Sequence, residues 1–306
     1  MVDGRSELGM RRLARLSELA QIIKTQVIGD DIEIDGLNLS NRQTKYTKVL
    51  SYAMGERYLL MAAENEAIAA MVLSQELADY AKANMKGRFS VLVSSSPEVD
   101  FYKIHTHLYH NTDFYDNFEF PASIGNNPNI HPTAIVEDGV IIGDNVIVEA
   151  YAVIKHGSVL GDNVYIGCHV VIGEEGFQII KDGRKNMRIV HAGGCHISDG
   201  SAIHKGTAVC NSLFEGATYI GENVMIDGMS YVEHNCCVEA NAVLTPSVTL
   251  CGSVNIRQGA WIGAGATVLN QVTVGKNATL GIGCVAISDI PDGATAVGNP
   301  ARVLEK

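Results

Sequence analysis

Proline and aromatic residues are scarce in this chain. Its 306 residues include 7 prolines and one tryptophan, and Phe, Trp and Tyr together make up 6%. That shortage argues against a globule wedged open by large rings. Basic runs are also missing, and the formal charge is -11, so nucleic acid is an unsuitable partner. No apolar stretch approaches the ~20 residues needed to span a bilayer. The first residues carry Arg5, Arg11, Arg12 and Arg15 but no apolar core of a signal peptide. The seven cysteines are odd in number and contain no C-x-x-C pair, so no disulfide framework is expected. These absences together predict a reduced, cytoplasmic protein with no membrane span.

What is abundant is glycine, at 31 residues, and a rhythm. From Ile220 an aliphatic residue returns every six positions, through Ile226, Val232, Val238, Leu244, Leu250, Ile256, Ile262, Val268 and Val274 to Leu280. Two residues before each sits a small or β-branched side chain, such as Ser230, Cys236, Ala242, Val248 or Ala260. A period of six fits neither a helix nor a two-faced strand. It fits a β-solenoid of short strands, each turning a corner after one hexad, with three hexads to a triangular coil. An earlier block keeps the same step from Ile130 through Val136, Ile142, Val148, Ile154, Leu160 and Ile166 to Ile172. Between the blocks, residues 174–194 form a polar excursion with Arg184, Lys185 and Arg188. One residue is lost near Phe214, because Val209 to Ile220 is eleven rather than twelve. A long loop thrown out of a strict solenoid is usually functional.

The residues before the solenoid read as a small α/β domain over 1–120. Apolar spacing predicts an amphipathic helix at 6–24 and a strand with a turn over 30–37. A helix near 62–69, a strand at 70–73, a helix at 75–84 and a strand at 89–93 follow. A helix and linker are expected over 102–118. The solenoid is then expected over 121–290, and a tail at 291–306 is expected to leave it.

Ten histidines need sorting. His156, His191 and His196 have a spacing like that of solenoid carbonic anhydrases, but the excursion breaks the register between them, and no metal is expected. His234 follows the inward Val232, with Asp227 seven residues before it and Asn235 directly after. A neutral imidazole suits a general base near pH 7, and a carboxylate can fix its tautomer. Spacing puts Asp227 and His234 on adjacent hexads, which leaves their contact open.

The stretch Val224-Met225-Ile226-Asp227-Gly228-Met229-Ser230-Tyr231-Val232-Glu233-His234-Asn235 resembles the catalytic segment of the UDP-3-O-(3-hydroxyacyl)glucosamine N-acyltransferases. The likeness extends to Gly176-Phe177, to His191-Ala192-Gly193-Gly194, to Arg15-Leu16-Ser17-Glu18-Leu19-Ala20, and to Leu50-Ser51-Tyr52 followed by Tyr58. It covers roughly residues 15 to 285. The resemblance implies a left-handed parallel β-helix, a homotrimer with sites between neighbouring solenoids, and a nucleotide-linked amino sugar as acceptor. It implies that His234 is the base, supported by Asp227. It also implies that Tyr52 and Tyr58 sandwich the nucleotide base, the alternative being packing in the small domain's core. Phe177 and His191 are implied either to line the acyl or pantetheine channel or to hold the loop.

Two departures stand out. Where that family has a second histidine, this chain has Gln271. Where the family ends in helices that engage acyl carrier protein, this chain ends Val297-Gly298-Asn299-Pro300-Ala301-Arg302. With Gly263-Ala264-Gly265, that ending looks like the coenzyme A-dependent sugar acetyltransferases, where such a coil holds pantetheine and a basic residue, here Lys276 or Arg302, meets phosphate. The resulting expectation is an N-acyltransferase for surface-polysaccharide sugars such as those of O-antigen. Its donor would be a short acyl- or 3-hydroxyacyl-coenzyme A, and no cofactor would be bound permanently. The lipid A enzyme of lipopolysaccharide synthesis, with acyl carrier protein as donor, is the alternative. A non-catalytic solenoid scaffold is the alternative of another class.

Overall fold

A computed structural model describes residues 13–40, 42, 44–116 and 118–304. The chain divides into two compact units. One is the described part of Met1–Asn117 with Gln178–Val190, and the other is Phe118–Phe177 with His191–Lys306.

The first unit holds a five-stranded sheet. Its strands are β2 (Val27–Ile28), β4 (Gly36–Leu37), β5 (Val49–Tyr52), β6 (Ile68–Leu73) and β7 (Ser90–Val93), in the order β2-β7-β6-β5-β4. Two further short strands, β1 (Ala14–Arg15) and β3 (Glu33–Ile34), pair antiparallel beside it. β6 is buried almost throughout, as its apolar run requires. Among the described residues four helices accompany the sheet: α1 (Leu16–Ile22), α2 (Glu56–Glu64), α3 (Gln75–Asn84) and α4 (Pro97–Asn111).

Several elements differ from the expectation. The first helix is shorter than 6–24, and residues 6–12 lie outside the described ones. The 30–37 strand is broken into β3 and β4 at Asp35, whose carboxylate instead accepts from the Thr47 and Lys48 amides at 3.0 and 2.9 Å. The helix expected at 62–69 is α2, which stops at Asn65 in extended backbone. α4 starts five residues before 102 because Pro97 occupies its first turn, and it ends at Asn111, with the linker after it. α3 is where the spacing puts it, capped by Ser74 Oγ accepting from Leu77 N–H at 3.2 Å.

The second unit is the solenoid. Its strands form three parallel faces. Face one runs from Ser123–Ile124 to Thr273–Val274, face two starts at Asn129–Ile130, and face three runs from Ile135–Val136 to Val285–Ala286. Register advances eighteen residues per coil, as in Met225↔Val243 and Val243↔Trp261, so each coil sits one strand spacing, ~4.8 Å, above the last. The inward residues Ile220, Ile226, Val232, Val238, Leu244 and Leu250 have no exposed surface. Each such side chain contributes roughly 1.5–3 kcal/mol by leaving water, and the stack repeats that gain coil after coil.

Two-residue turns make the corners. The residue with left-handed backbone is often asparagine, as at Asn145, Asn163, Asn223 and Asn241, which tolerates that conformation better than most side chains. The expected tail does not leave the solenoid. Ile290 bridges Val274, and Thr295–Val297 pairs with Thr279–Leu280 before turning back against Arg302–Val303.

Candidate functional site

The three edges of the solenoid are not alike. The edge between faces three and one carries the turns His234–Asn235, Gly252–Ser253 and Asn270–Gln271, stacked through Ser253 N–H to His234 O at 2.9 Å and Gln271 N–H to Gly252 O at 3.1 Å. The excursion leaves from this same edge after the strand Val171–Glu174. Within it, Ile179–Asp182 pairs antiparallel with Lys185–Arg188. The lost residue near Phe214 belongs to this edge too, in the stretch Ser212–Gly216 that follows the strand Ala208–Cys210. The excursion and the lost residue therefore both fall on the edge that carries His234.

His234 is buried, with 8% of its surface exposed. Its Nδ1 lies 3.1 Å from Asn235 Oδ1. The same oxygen accepts from Leu213 N–H at 3.1 Å, and Asn235 Nδ2 donates to Ser212 Oγ. A backbone amide can only donate, so it identifies that side-chain atom as the acceptor. Nδ1 of His234 must then carry a proton, so in the neutral ring the lone pair is on Nε2. Gly252 covers that nitrogen. A Cβ added there would stand 2.7 Å from Nε2 and 2.6 Å from Cε1, so the imidazole fits only beneath a glycine. The ring of His191, 2% exposed, meets His234 edge-on at 5.4 Å between centroids. Gly176 closes the other side, where a Cβ would lie 2.8 Å from His191 Nε2 and 3.1 Å from His234 Cδ2.

Along the same edge, Lys155 Nζ pairs with both oxygens of Glu174 at 3.3 Å. Cys210 donates to Tyr231 Oη at 3.4 Å, and burial pushes its thiol up to about 12. Tyr231 is likewise raised, chiefly by burial.

Of the residues singled out from sequence, the structure brings His234, His191 and Gly176 together and stacks Gln271 two coils from His234. It does not bring Asp227 to His234. Asp227 is exposed at the next edge, between faces two and three, and its carboxylate accepts from Gly228 N–H at 2.6 Å. The tautomer expected from Asp227 is instead set by Asn235. Gly263, Ala264 and Gly265 share Asp227's edge, with Gly265 N–H on Pro246 O at 2.9 Å. Lys276 lies on the third edge, its amide on Asp292 Oδ1 at 2.7 Å, and Arg302 is exposed at the end of face two. Phe177 is 76% exposed.

In the first unit, Tyr52 packs on Phe101 at 4.9 Å and Tyr102 at 6.0 Å and donates to Glu98 Oε1 at 3.0 Å. Burial, then the neighbouring Tyr102 and Glu98, raise its phenol far above the ordinary value. Tyr58 is 47% exposed on the first turn of α2. Of the two rings, it is Tyr58 that has a surface to offer.

His156 pairs with Glu137 at 3.0 Å and His196 stacks on Tyr219 at 5.4 Å, so neither joins His191. Among the described residues, no group of three His, Cys, Asp or Glu is arranged to hold a metal ion.

The residues missed from sequence are Gly252, Glu233 and Lys155. Gly252 was within reach, because it lies one eighteen-residue coil after His234. Lys155 was within reach too, because Glu174 follows it by 19 residues, about one coil, before the excursion begins.

Residues 121–156 and 141–174 match the bacterial transferase hexapeptide family (six repeats). These are hexapeptide transferase repeats.

The hexapeptide-repeat chain is 32% identical over 136 residues to the UDP-3-O-acylglucosamine N-acyltransferase of Caulobacter sp. (strain K31), covering 44% of this chain and 40% of that one. It is 35% identical over 100 residues to the serine acetyltransferase of Escherichia coli (strain K12), covering 29% of this chain and 37% of the relative. The matches thus span about two fifths of the length of these relatives. Among solved structures, a UDP-N-acetylglucosamine acyltransferase from Campylobacter jejuni aligns with a TM-score of 0.54 at 21% identity, over 60% of this chain and 70% of that one. One from Bacteroides fragilis 9343 aligns at 0.52 and 23%, over 62% and 71%. At those identities the likeness is one of fold. The solenoid is a left-handed parallel β-helix, preceded by a small α/β domain.

Proposed function

We propose that this chain is an acyltransferase that moves an acyl group from a thioester to the amine of a nucleotide-linked amino sugar. The observation that carries the reading is the His234 imidazole, buried between Gly176 and Gly252 with its lone pair on Nε2. The amine nitrogen attacks the thioester carbonyl, Nε2 takes its proton, and the thiolate leaves with that proton. The Gly252 backbone amide, or Gln271 one coil further, stabilises the oxyanion. Tyr58 and Tyr52 are the candidates for the nucleotide base, and Phe177 and His191 for the acyl arm.

The donor in this reading is a short acyl- or 3-hydroxyacyl-coenzyme A. The Gly263-Ala264-Gly265 turn, Lys276 and Arg302 are the candidate contacts, and no cofactor is held permanently. The candidate residues lie on three different edges of one solenoid. A single copy cannot gather them, which supports a homotrimer with sites between copies. The setting is surface-polysaccharide synthesis in the cytoplasm.

A second reading, N-acylation in lipid A synthesis with acyl carrier protein as donor, is favoured by the Caulobacter relative's name. The net charge of -11 disfavours an acidic carrier. The test is thiol release and product mass with a panel of UDP-, dTDP- and GDP-linked amino sugars, each with acyl-coenzyme A and with acyl carrier protein. Amide product with coenzyme A is expected. Activity with long-chain acyl carrier protein alone would restore the second reading. No turnover and no nucleotide-sugar binding would leave a scaffold.

A further inference from the structure

Glu233 stands one residue before His234, at the end of the strand Tyr231–Val232. It is half-buried, and its Oε2 accepts from His234 N–H at 3.2 Å. The point that a Cβ on Gly176 would occupy is 2.7 Å from Glu233 Oε2, 2.8 Å from His191 Nε2 and 3.1 Å from His234 Cδ2. Three polar side chains therefore converge at the foot of the excursion. The nearby cation of this edge is already engaged, because Lys155 pairs with Glu174. Glu233 makes no ion pair among the described residues, and the neighbouring thiols Cys210 and Cys251 are held neutral by burial, with Glu233 a further cause. The local sign beside the base is thus set by a carboxylate without a counter-ion. A partly desolvated carboxylate is stabilised most by a cation that also donates hydrogen bonds.

We propose that Glu233 is the specificity residue for the acceptor, holding its protonated amine beside His234 and so selecting an amino sugar over the corresponding hydroxyl sugar. The inference rests on the acyl-transfer reading above and sharpens it. A sugar amine is substantially protonated near neutral pH, whereas a hydroxyl offers no charge. The docked ammonium first releases one proton to solvent. The neutral nitrogen then forms the C–N bond with the thioester carbonyl carbon while His234 Nε2 takes the second proton. The C–S bond breaks, and the thiolate leaves as thiol with the proton from His234. The products are one amide, one thiol and the solvent proton.

The test uses the full chain and a matched pair of nucleotide sugars that differ only in amine or hydroxyl at the acceptor carbon. Glu233→Gln keeps an oxygen to accept from His234 N–H, so folding and the base are preserved, which an unchanged melting temperature verifies. The expected result is a KM for the amine acceptor raised about tenfold or more, kcat altered by less than about threefold, and kcat/KM for the hydroxyl acceptor unchanged. Wild-type KM for the amine should also rise at alkaline pH as the ammonium is lost, and this rise should be absent in the variant. An unchanged amine KM, or equal loss with both acceptors, overturns the assignment while leaving acyl transfer intact. Wild-type turnover of the hydroxyl acceptor alone overturns it as well. A wild-type chain inert with both acceptors and every donor overturns the acyl-transfer reading itself.

Discussion

The proposed base, His234, is oriented by the residue that follows it. Asn235 Oδ1 is pinned by Leu213 N–H, so the neutral His234 ring carries its proton on Nδ1 and leaves Nε2 open. Substituting His234 by Ala or Asn should lower kcat by roughly 10²–10⁴-fold with the fold intact, because only a transition-state interaction is removed. Gly252→Ala should do comparable harm while every titratable group remains, since its methyl would sit against Nε2. Unaltered turnover in these variants would point to proton transfer by the substrate itself. A second buried imidazole makes a different prediction. His105 on α4 takes a hydrogen bond from Tyr115 Oη on Nδ1 and donates from Nε2 to Val190 O at 2.9 Å. Burial lowers it from the ordinary 6.5 to about 4. The unfolded chain therefore binds the proton first. Stability is fully present above about pH 6.5 and is lost as pH falls toward 4, by on the order of 3 kcal/mol. Urea midpoints across that window should show the slope, and His105→Gln should flatten it.

At the scale of the element, the six-residue step was legible because the inward positions from Ile142 to Leu280 are filled by branched apolar residues buried in the stack. The small domain was legible only in part. Its helix limits are set by Asn65, Pro97 and Thr112, which act through backbone conformation rather than periodicity. The site was half legible. His234 stands in a recognisable segment, but the resemblance implied Asp227 as its support, and the seven residues between them cross face three to a different edge. The edge between faces one and two makes its own prediction. There Asp144 Oδ1 accepts from Asn126 N–H at 2.6 Å, Asp162 Oδ1 from Asp144 N–H at 2.8 Å, and Asp199 Oδ1 from Asp162 N–H at 2.8 Å. The amide bonds from Asn126 hold Asp144 below its ordinary 3.8. A depressed carboxylate stabilises the fold above that value and ceases to as pH falls through the depressed one. Thermal melts below pH 4 should show the loss, and Asp144→Asn should reduce that dependence. An identical acid profile in the variant would mean that the column is incidental.

At the scale of the whole molecule, face two presents Ile147, Met225 and Trp261 outward and exposed. If copies assemble through this face, Trp261→Glu should convert a sedimenting trimer to monomers, with far-UV circular dichroism unchanged and activity lost. A wild-type chain that sediments as a monomer and still turns over would remove the need for a neighbour. The donor has its own signature. Substituting Arg302 or Lys276 should raise the KM for acyl-coenzyme A more than it lowers kcat, because phosphate contacts bind ground and transition states alike. Equal loss in kcat with unchanged KM would place those cations elsewhere.

The eighteen-residue register also governs how the gene can change. Loss or gain of eighteen codons after the His234 coil returns every later side chain to the face it had, as the pairing of Met225 with Val243 and of Val243 with Trp261 requires. A length that is not a multiple of six turns inward residues outward in every coil that follows. The lineage can therefore lengthen or shorten this protein by whole coils, and lesser insertions survive only where they are thrown clear of the stack. The edge beside His234 has taken its excursion in that way.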